Sequence, residues 1–367
     1  MAKLIGVGIL GGGGILGAHA PGFSSIKDKC KVLAVAEPNK NNHENIRKLV
    51  GADVRIVGDY SELLAMPEID AVDILLPHDL HMPATIAAAK AGKHVLTEKV
   101  MARNVWECDK MIEACEKAGV TLTVSHDRRY NSQWMGLKEI VDSGVLGKIF
   151  HWKLDHNQDV SVPPTHWIYS KNAIGGGSIM SCLTHQIDAL RWYGGEVASV
   201  TAMGKVLPGR MEGESVGVIG AQMKSGALAM LSINWFTRSM GYGHGENALW
   251  YEMVQACGDK GEAYYMSGRG TFLRMHDRNA KGAEKLKERF GEKIFDGFVP
   301  YPTESKPGHV GCIQEWIKSL RGEKSHVTTS GKECRGTVEV AEAAYISMDK
   351  RKVVDLPVKP IKWKNVK

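Results

Sequence analysis

The first third of the chain alternates between short apolar runs and alanine-rich or amphipathic stretches. The apolar runs are "KLIGVGIL" (3–10), "KVLAVAEP" (31–38), "RIVGDY" (55–60), "DAVDILLP" (70–77), "HVLTEK" (94–99) and "VTLTVSH" (120–126). Helical segments such as "NVWECDKMIEACEKAG" separate them, and there Asn104 and Glu107 have capping-box spacing while Gly119 is a typical stop. Strands separated by short helices predict βαβ units and a parallel, doubly wound sheet.

After about residue 130 the pattern changes to one helix and then longer alternating strands with tight turns. The helix is predicted over 131–148, ending at Gly144 or Gly147, and hairpin signals occur at 224–226 and 258–261. Two late helices, near 308–321 and 331–349, precede a short strand in "KVVDLP". This half therefore predicts an α+β domain with a large, mostly antiparallel sheet and a helix on one face.

Length, charge and cysteine content narrow the class of protein. The 367 residues exceed the roughly 250–300 of a single core, so we expect two domains, 1–128 and 129–367. The 47 basic and 41 acidic residues are dispersed, which predicts neither nucleic acid nor membrane as a partner. Seven cysteines without a C-x-x-C pair favour a reducing compartment, the cytoplasm.

The opening "MAKLIGVGILGGGGILGAHAP" has two interpretations: a secretory signal ending in Ala18-His19-Ala20, or a strand that runs into a phosphate-binding turn. Each glycine of 11–14 would cost a signal helix about 0.8–1 kcal/mol relative to alanine, which favours the turn. Glycine lets the backbone turn sharply and approach a pyrophosphate at the start of the next helix. Two registers fit: Gly11, Gly13 and Gly14 as contacts, or G-x-G-x-x-G from Gly12, Gly14 and Gly17.

Glu37 closes the second apolar run, at the usual distance from a dinucleotide-binding turn. A carboxylate there accepts hydrogen bonds from the adenosine ribose hydroxyls and repels a 2′-phosphate. We therefore expect NAD as the cofactor rather than NADP. The alternative is a solvated acid at a strand end.

Two polar clusters stand out beyond the glycine turn. Glu98 and Lys99 end a strand where the crevice of an open α/β sheet lies, although a lysine there is often only solvated. In "GGGSIMSCLTHQIDALRW" (175–192), Ser181, His185 and Asp188 share one helical face. Such a histidine is either a proton acceptor or a hydrogen-bonded core residue. The histidine pair in "PHDLH" (77–81) has no third ligand with suitable spacing, so we expect no metal.

The chain resembles the glucose–fructose oxidoreductase/inositol dehydrogenase (Gfo/Idh/MocA) family over nearly its whole length. The matching pieces are the glycine turn with Ile15 and His19, "DAVDILLPHDLH", "AGKHVLTEK", "AGVTLTVSHDRRYN", "GGG…H.ID" and "VVDLP". The resemblance implies an N-terminal Rossmann domain, a C-terminal sheet used for homo-oligomer contacts, and NAD(P)-linked oxidation or reduction of sugars and polyols.

The resemblance also assigns roles by position. The predicted catalytic residues are Lys99, His185 and Ser181. The predicted cofactor contacts are Gly11, Gly13, Gly14, Ile15, Glu37, Pro77, His81, Glu98 and Lys99. The predicted substrate contacts are Arg128, Tyr130, Asn157, His166, Trp167 and Asp188.

The sequence departs from the family pattern at two positions. Val100 stands where the family usually has proline, which loosens the backbone after Lys99. Ser181 stands where the family has an acid, and a serine cannot stabilise an imidazolium by charge. Asp188 partly substitutes for that acid, or instead contacts an arginine such as Arg191.

The expected chemistry is hydride transfer from a carbinol carbon to NAD. His185 takes the hydroxyl proton while Lys99 stabilises the developing alkoxide. Aromatic and neutral polar residues suit a sugar ring, and we expect oxidation at C3 of a pyranose, free or in a glycoside. Those before the triple glycine are Trp152, His156, Asn157, His166 and Trp167, and those on a later glycine-rich loop are Trp235, Tyr242 and His244. For any one aromatic, ordinary core packing is an equal alternative.

Three other functions remain open from the sequence. They are an inositol or polyol dehydrogenase, a redox-neutral glycoside-cleaving enzyme that retains NAD, and a non-catalytic dinucleotide sensor.

Overall fold

The computed structural model describes residues 3–207, 209–236, 250–304, 306 and 308–363. Two compact units are present: Met1–Tyr130 with Lys306–Val338 and Pro360–Lys367, and Asn131–Ser305 with Glu339–Lys359. This differs from the expected division into 1–128 and 129–367, because the chain returns to the first unit after residue 305.

The strands are β1 (Ile5–Leu10), β2 (Cys30–Ala36), β3 (Arg55–Val57), β4 (Ala71–Ile74), β5 (His94–Glu98), β6 (Leu122–Ser125), β7 (Ile149–Gln158), β8 (Val197–Lys205), β9 (Val216–Met223), β10 (Leu228–Asn234), β11 (Trp250–Gly258), β12 (Gly261–Met266), β13 (Gly270–Met275), β14 (Val299–Tyr301) and β15 (Val354–Asp355). The α-helices are α1 (Leu16–Ser24), α2 (His43–Val50), α3 (Tyr60–Leu64), α4 (His78–Lys90), α5 (Val105–Ala118), α6 (Ser132–Asp142), α7 (Lys171–Ile174), α8 (Thr184–Gly194), α9 (Ala283–Phe290), α10 (Lys293–Asp296), α11 (Gly308–Leu320) and α12 (Gly331–Lys350). No helix of the described ranges is long and apolar enough to cross a membrane.

The first unit contains a six-stranded sheet in the order β3-β2-β1-β4-β5-β6, and every pair is parallel. This confirms the predicted parallel sheet. Strand β1 lies in its interior and is almost wholly buried, so the opening apolar run belongs to the core. Asn104 caps α5 by accepting from the Glu107 amide, and Gly119 ends the helix in the left-handed conformation, both as predicted.

Helix α11 explains why the chain returns to the first unit. Its side chains Cys312, Ile313, Trp316 and Ile317 are fully buried in the same cluster as residues of β1, β2 and α1. Gly22 permits the close approach, since a Cβ there would lie 2.7 Å from the Ile313 side chain. The core beside β1 therefore depends on a helix from late in the sequence.

The second unit contains a nine-stranded sheet in the order β14-β13-β12-β11-β7-β10-β9-β8-β15. Its pairs are antiparallel except for β10 with β7, which confirms the predicted mostly antiparallel sheet. The predicted turns at 224–226 and 258–261 join antiparallel neighbours. Helices α6 and α8 pack on one face, where Trp134 contacts Tyr265 and Trp152 stacks on Tyr193.

Candidate active site

The glycine turn lies at the carboxyl end of β1. Gly11 has a φ of +100°, and a Cβ there would lie 2.5 Å from the Leu75 carbonyl oxygen, so only glycine fits. A Cβ at Gly13 or Gly14 would meet nothing within 4 Å, and Ile15 leads into α1 without a side-chain cap. The turn therefore presents open backbone at the start of a helix, which suits a pyrophosphate.

Glu37 holds the other side of this turn. Its Oε2 accepts from the Gly12 amide at 2.9 Å and its Oε1 from the Asn39 amide at 2.8 Å, and the residue is 7% exposed. The carboxylate therefore lies beside the glycine turn at the ends of β1 and β2. These residues fit the phosphate and ribose contacts of NAD, as the sequence predicts.

Pro77 and His81 lie on the next crossover of the sheet. Pro77 precedes α4, and the buried His81 ring faces the carbonyl oxygens of Leu76 at 2.7 Å and Val100 at 2.9 Å. Burial lowers the pKa of His81. Both ring nitrogens thus face backbone, so we assign His81 a positioning role rather than a direct cofactor contact. The peptide between Lys99 and Val100 is cis.

Glu98, at the end of β5, belongs to a buried network of carboxylates and histidines. Its Oε1 lies 2.9 Å from Nε2 of His19, whose Nδ1 lies 2.8 Å from Asp73. His309 of α11 faces Glu98 and Asp127, each at 3.7 Å. The Lys99 amide donates to the other Glu98 oxygen at 3.1 Å, so the network reaches the backbone of the predicted catalytic lysine.

Charge favours a protonated His19 in this network. Burial alone would lower the pKa of His19, but the charges and hydrogen bonds of Asp73 and Glu98 outweigh it and raise the pKa to about 10. Burial opposes ionisation of Glu98, yet His19, His309 and Lys99 hold its pKa well below the usual range. Burial raises the pKa of Asp73.

The same side chains have the composition of a metal site. His19, Glu98 and His309 offer ligand atoms within 4.8 Å of one another. However, each His19 nitrogen already faces a carboxylate oxygen. A metal ion would have to displace one of these contacts to reach a lone pair of the imidazole.

In the second unit the triple glycine leads into a π-helical turn, Ile179–Leu183, and then into α8. Glu214 accepts from the Ile179 amide at 2.8 Å and from the Tyr345 hydroxyl at 2.9 Å. A Cβ at Gly177 would lie 2.4 Å from the Glu214 backbone, so this approach also requires glycine. Burial raises the pKa of Glu214 to about 7.

The predicted catalytic side chains of this unit lie along that segment. Ser181 lies in the π-helical turn rather than in an α-helix, while His185 and Asp188 follow in α8; all three are buried. Arg191 contacts Glu196 at 2.7 Å. The sequence left open a contact between Asp188 and Arg191, and the structure shows that Arg191 pairs with Glu196.

A second histidine lies beside His185. The His156 ring is 6.4 Å from it between centroids and inclined by only 12°. Nδ1 of His156 lies 3.3 Å from Oε1 of Glu252, its cross-strand partner on β11, and the Gln186 amide donates to the same oxygen at 3.3 Å. Burial would lower the pKa of His156, but hydrogen bonds with Cys182 and Glu252 raise it to about 9.

The substrate contacts predicted at the end of the first unit have internal partners. Arg128 donates to Asp127 at 2.6 Å. The Tyr130 hydroxyl donates to Glu315 of α11 at 2.9 Å, and burial raises its pKa. We therefore drop Tyr130 from the proposed substrate contacts.

The remaining aromatic and polar candidates are dispersed through the second unit. Asn157 follows His156 on β7, and strand alternation puts it on the opposite face from His185. His166 and Trp167 stack on each other at a short 3₁₀ helix before α7. Trp152 and Trp235 are buried, which agrees with ordinary core packing, the alternative given for these aromatic residues. Tyr242 and His244 lie outside the described residues.

Sequence reasoning missed several residues of these networks. They are Asp73, Asp127, Glu214, Glu252 and His309. The first four are single acids in or next to apolar strands, a signal that could have been noticed, because an acid in a buried strand needs a partner. His309 carries no local signal.

Comparison with known proteins agrees with this arrangement. Residues 5–126 match the model of the oxidoreductase family with an NAD-binding Rossmann fold, and residues 134–264 match the GFO/IDH/MocA C-terminal domain.

Relatives resemble the chain over nearly its full length. Myo-inositol 2-dehydrogenase of Thermotoga maritima is 26% identical over 95% of this chain and 98% of its own. The scyllo-inositol 2-dehydrogenase (NAD(+)) of Bacillus subtilis is 26% identical over 96% of both chains. A levoglucosan dehydrogenase solved with NADH and levoglucosan shares the fold, with a TM-score of 0.80, 20% identity, and coverage of 97% of this chain and 100% of its own. With its NAD-binding turn and both domains matched, the chain belongs to the GFO/IDH/MocA family and is an NAD-dependent dehydrogenase.

Proposed function

We propose that this dehydrogenase oxidises, or reversibly reduces, a secondary hydroxyl of a sugar or glycoside, with C3 of a pyranose ring as the reacting position. The observation that carries the proposal is the buried His185. It lies in α8, which follows the triple glycine and the π-helical turn, and the ring of His156 lies beside it. Relatives named inositol and levoglucosan dehydrogenases support a cyclic polyhydroxylated substrate.

In the proposed mechanism, His185 accepts the proton of the reacting hydroxyl. Lys99 donates to the same oxygen and stabilises its developing negative charge. Glu37 and the turn at Gly11–Gly14 bind the cofactor. NAD, when bound, supplies the acceptor for the hydride. Ser181 hydrogen-bonds the substrate or His185, and Arg128, His166, Trp167 and Asp188 remain proposed substrate contacts. Asn157 leaves this set because it lies on the opposite face of β7 from His185.

The substrate is tested by incubating the protein and NAD with glucose, methyl glucosides, levoglucosan and myo-inositol. NADH formation is followed by absorbance, and the oxidised carbon is identified by NMR of the product. We expect a 3-keto sugar. Oxidation of cyclitols alone would refute the sugar assignment, and NAD that stays bound without net reduction would point to redox-neutral chemistry.

The role of His185 is tested by His185→Gln. Loss of a general base lowers kcat by about 10²–10⁴-fold, while NAD affinity stays unchanged because the glycine turn lies in the other unit. The matched control is His151→Gln, on the outer face of β7. Near-normal turnover by the His185 variant would disprove the role.

We also propose a homo-oligomer, formed through the outer face of the nine-stranded sheet, in the cytoplasm. Met203, Val218, Leu228 and Met230 are exposed on this face, and exposed apolar side chains gathered on one sheet face favour a protein contact. All seven cysteines are described and none forms a disulfide, which supports a reducing compartment.

A further inference from the structure

Ser181 leaves open which group sets the protonation of His185, the proton acceptor of the proposed function on which this inference rests. A hydroxyl carries no charge, so the control of protonation must come from elsewhere around the ring. Within the described part of the second unit, Glu252 of β11 and Cys182 of the π-helical turn contact the His156 ring, and Asp188 follows His185 by three residues in α8.

Glu252 contacts two neighbours of His185, His156 and Gln186. The carboxylate is 2% exposed, so its charge requires compensation by neighbours. Its Oε1 contacts the His156 ring that faces His185 and also accepts from Gln186, the next residue along α8. One buried oxygen thus contacts the neighbouring ring and accepts a hydrogen bond from the residue that follows the proton acceptor.

We propose that Glu252 and His156 are positioning residues for His185: Glu252 keeps His156 protonated, and that cation lies 6.4 Å from the His185 ring and nearly parallel to it. A positive neighbour disfavours a second positive charge, so His185 stays neutral and able to accept a proton near pH 7. This effect is the reverse of that of a carboxylate beside His185, because a negative neighbour would favour the imidazolium form.

The direct test measures the two histidines by NMR in the full-length, NAD-bound protein without substrate. With ¹³C-labelled histidine, the signals of His156 and His185 are assigned by His156→Asn and His185→Gln and then titrated. His156→Asn removes the cation and retains a polar partner for Glu252. We expect the His185 titration to move up by about two pH units, the Coulomb effect of a unit charge at this separation for an effective dielectric constant of about 20.

His151→Asn is the matched control, since it removes a histidine from the opposite face of the same strand and leaves the His185 titration unchanged. Ser181→Asp is the positive control, because a carboxylate one turn before His185 raises its pKa. An unchanged His185 titration in His156→Asn, when Ser181→Asp moves it, would overturn the proposal.

Glu252→Gln provides a second variant that keeps the size of the side chain. Here the His156 titration falls by more than one pH unit, and an unchanged His156 would equally overturn the proposal. Once a substrate that the protein oxidises is known, the pH–rate profile provides a second measurement. In His156→Asn the apparent pKa of its acid limb should rise by the same amount as the His185 titration measured by NMR. Absence of any turnover in the wild-type protein would reject the proposed function but leave the NMR result interpretable.

Discussion

At the scale of single residues, the first unit places charges where burial alone would exclude them. Glu37 follows β2 and Glu98 ends β5 of one parallel sheet, and each accepts hydrogen bonds from backbone amides. His19 adds a buried positive charge between Asp73 and Glu98. These contacts make two properties of the protein depend on individual side chains: cofactor choice and the pH dependence of stability.

Cofactor choice depends on the charge of Glu37. We expect the wild-type protein to bind NADH at least about tenfold more tightly than NADPH, because hydrogen bonds to a charged group contribute about 1.5–3 kcal/mol and a 2′-phosphate is repelled. In Glu37→Gln the side-chain oxygen still accepts a hydrogen bond from the glycine turn, but the charge is lost. The ratio of the NADPH to the NADH dissociation constant should therefore fall. Fluorescence titration measures both constants, with the exposed Glu44→Gln as control. Equal affinities in the wild type would contradict this expectation.

The pH dependence of stability is expected to follow His19. Its folded pKa of about 10 exceeds its unfolded value of 6.5. The stabilisation is therefore complete below pH 6.5 and is lost as pH rises toward 10. His19→Asn leaves two buried carboxylates without their cation, which costs about 3–5 kcal/mol at neutral pH.

Urea unfolding at several pH values tests this, with the exposed His326→Asn as control. The free-energy difference between wild type and His19→Asn should shrink from pH 7 to pH 10. A difference that is constant over this range would show that His19 folds uncharged.

At the scale of elements, the segment from the triple glycine to α8 positions the proposed proton acceptor. The backbone of 177 approaches Glu214 more closely than any side chain permits, and the π-helical turn sets the direction in which His185 enters α8. The position of His185 thus depends on a turn, as well as on the regular helix that follows it.

Gly177→Ala tests this dependence. Its Cβ would overlap the Glu214 backbone, so we expect destabilisation of about 1–3 kcal/mol and reduced turnover. Gly297→Ala is the matched control in the same unit, since a Cβ there meets nothing within 4 Å, and we expect a change within about 0.5 kcal/mol. Thermal unfolding compares them, and equal melting temperatures would argue against the close approach.

These elements also show where sequence reasoning succeeds. The glycine turn and Glu37 were predictable because their signals lie in one βαβ unit, where local pattern and chemistry agree. The π-helical turn was not, since the spacing of Ser181 and His185 suits an α-helix equally well. His309 joins Glu98 only through the late return of α11, and Glu252 meets His156 only through strand register.

At the scale of the whole molecule, the outer face of the nine-stranded sheet suggests assembly. Leu228 and Met230 are 58% and 45% exposed on β10, with Met203 and Val218 on neighbouring strands of the same face. Burial of such side chains contributes about 25 cal/mol per Å². A second copy of this chain would bury them.

We expect the double substitution Leu228→Glu with Met230→Glu to reduce the proposed oligomer to monomers. Sedimentation velocity measures the change, and Ile361→Glu, another exposed apolar position, is the control. A wild-type protein that sediments as a monomer would refute the assembly.

The late return of α11 has a consequence for biosynthesis. As the chain leaves the ribosome, β1 and α1 emerge early but lack Ile313, Trp316 and Ile317, which complete their apolar cluster. The first unit cannot complete its core until residues up to 320 have been translated. A stop codon before this point would therefore leave the N-terminal sheet incompletely packed, although its own strands would be intact.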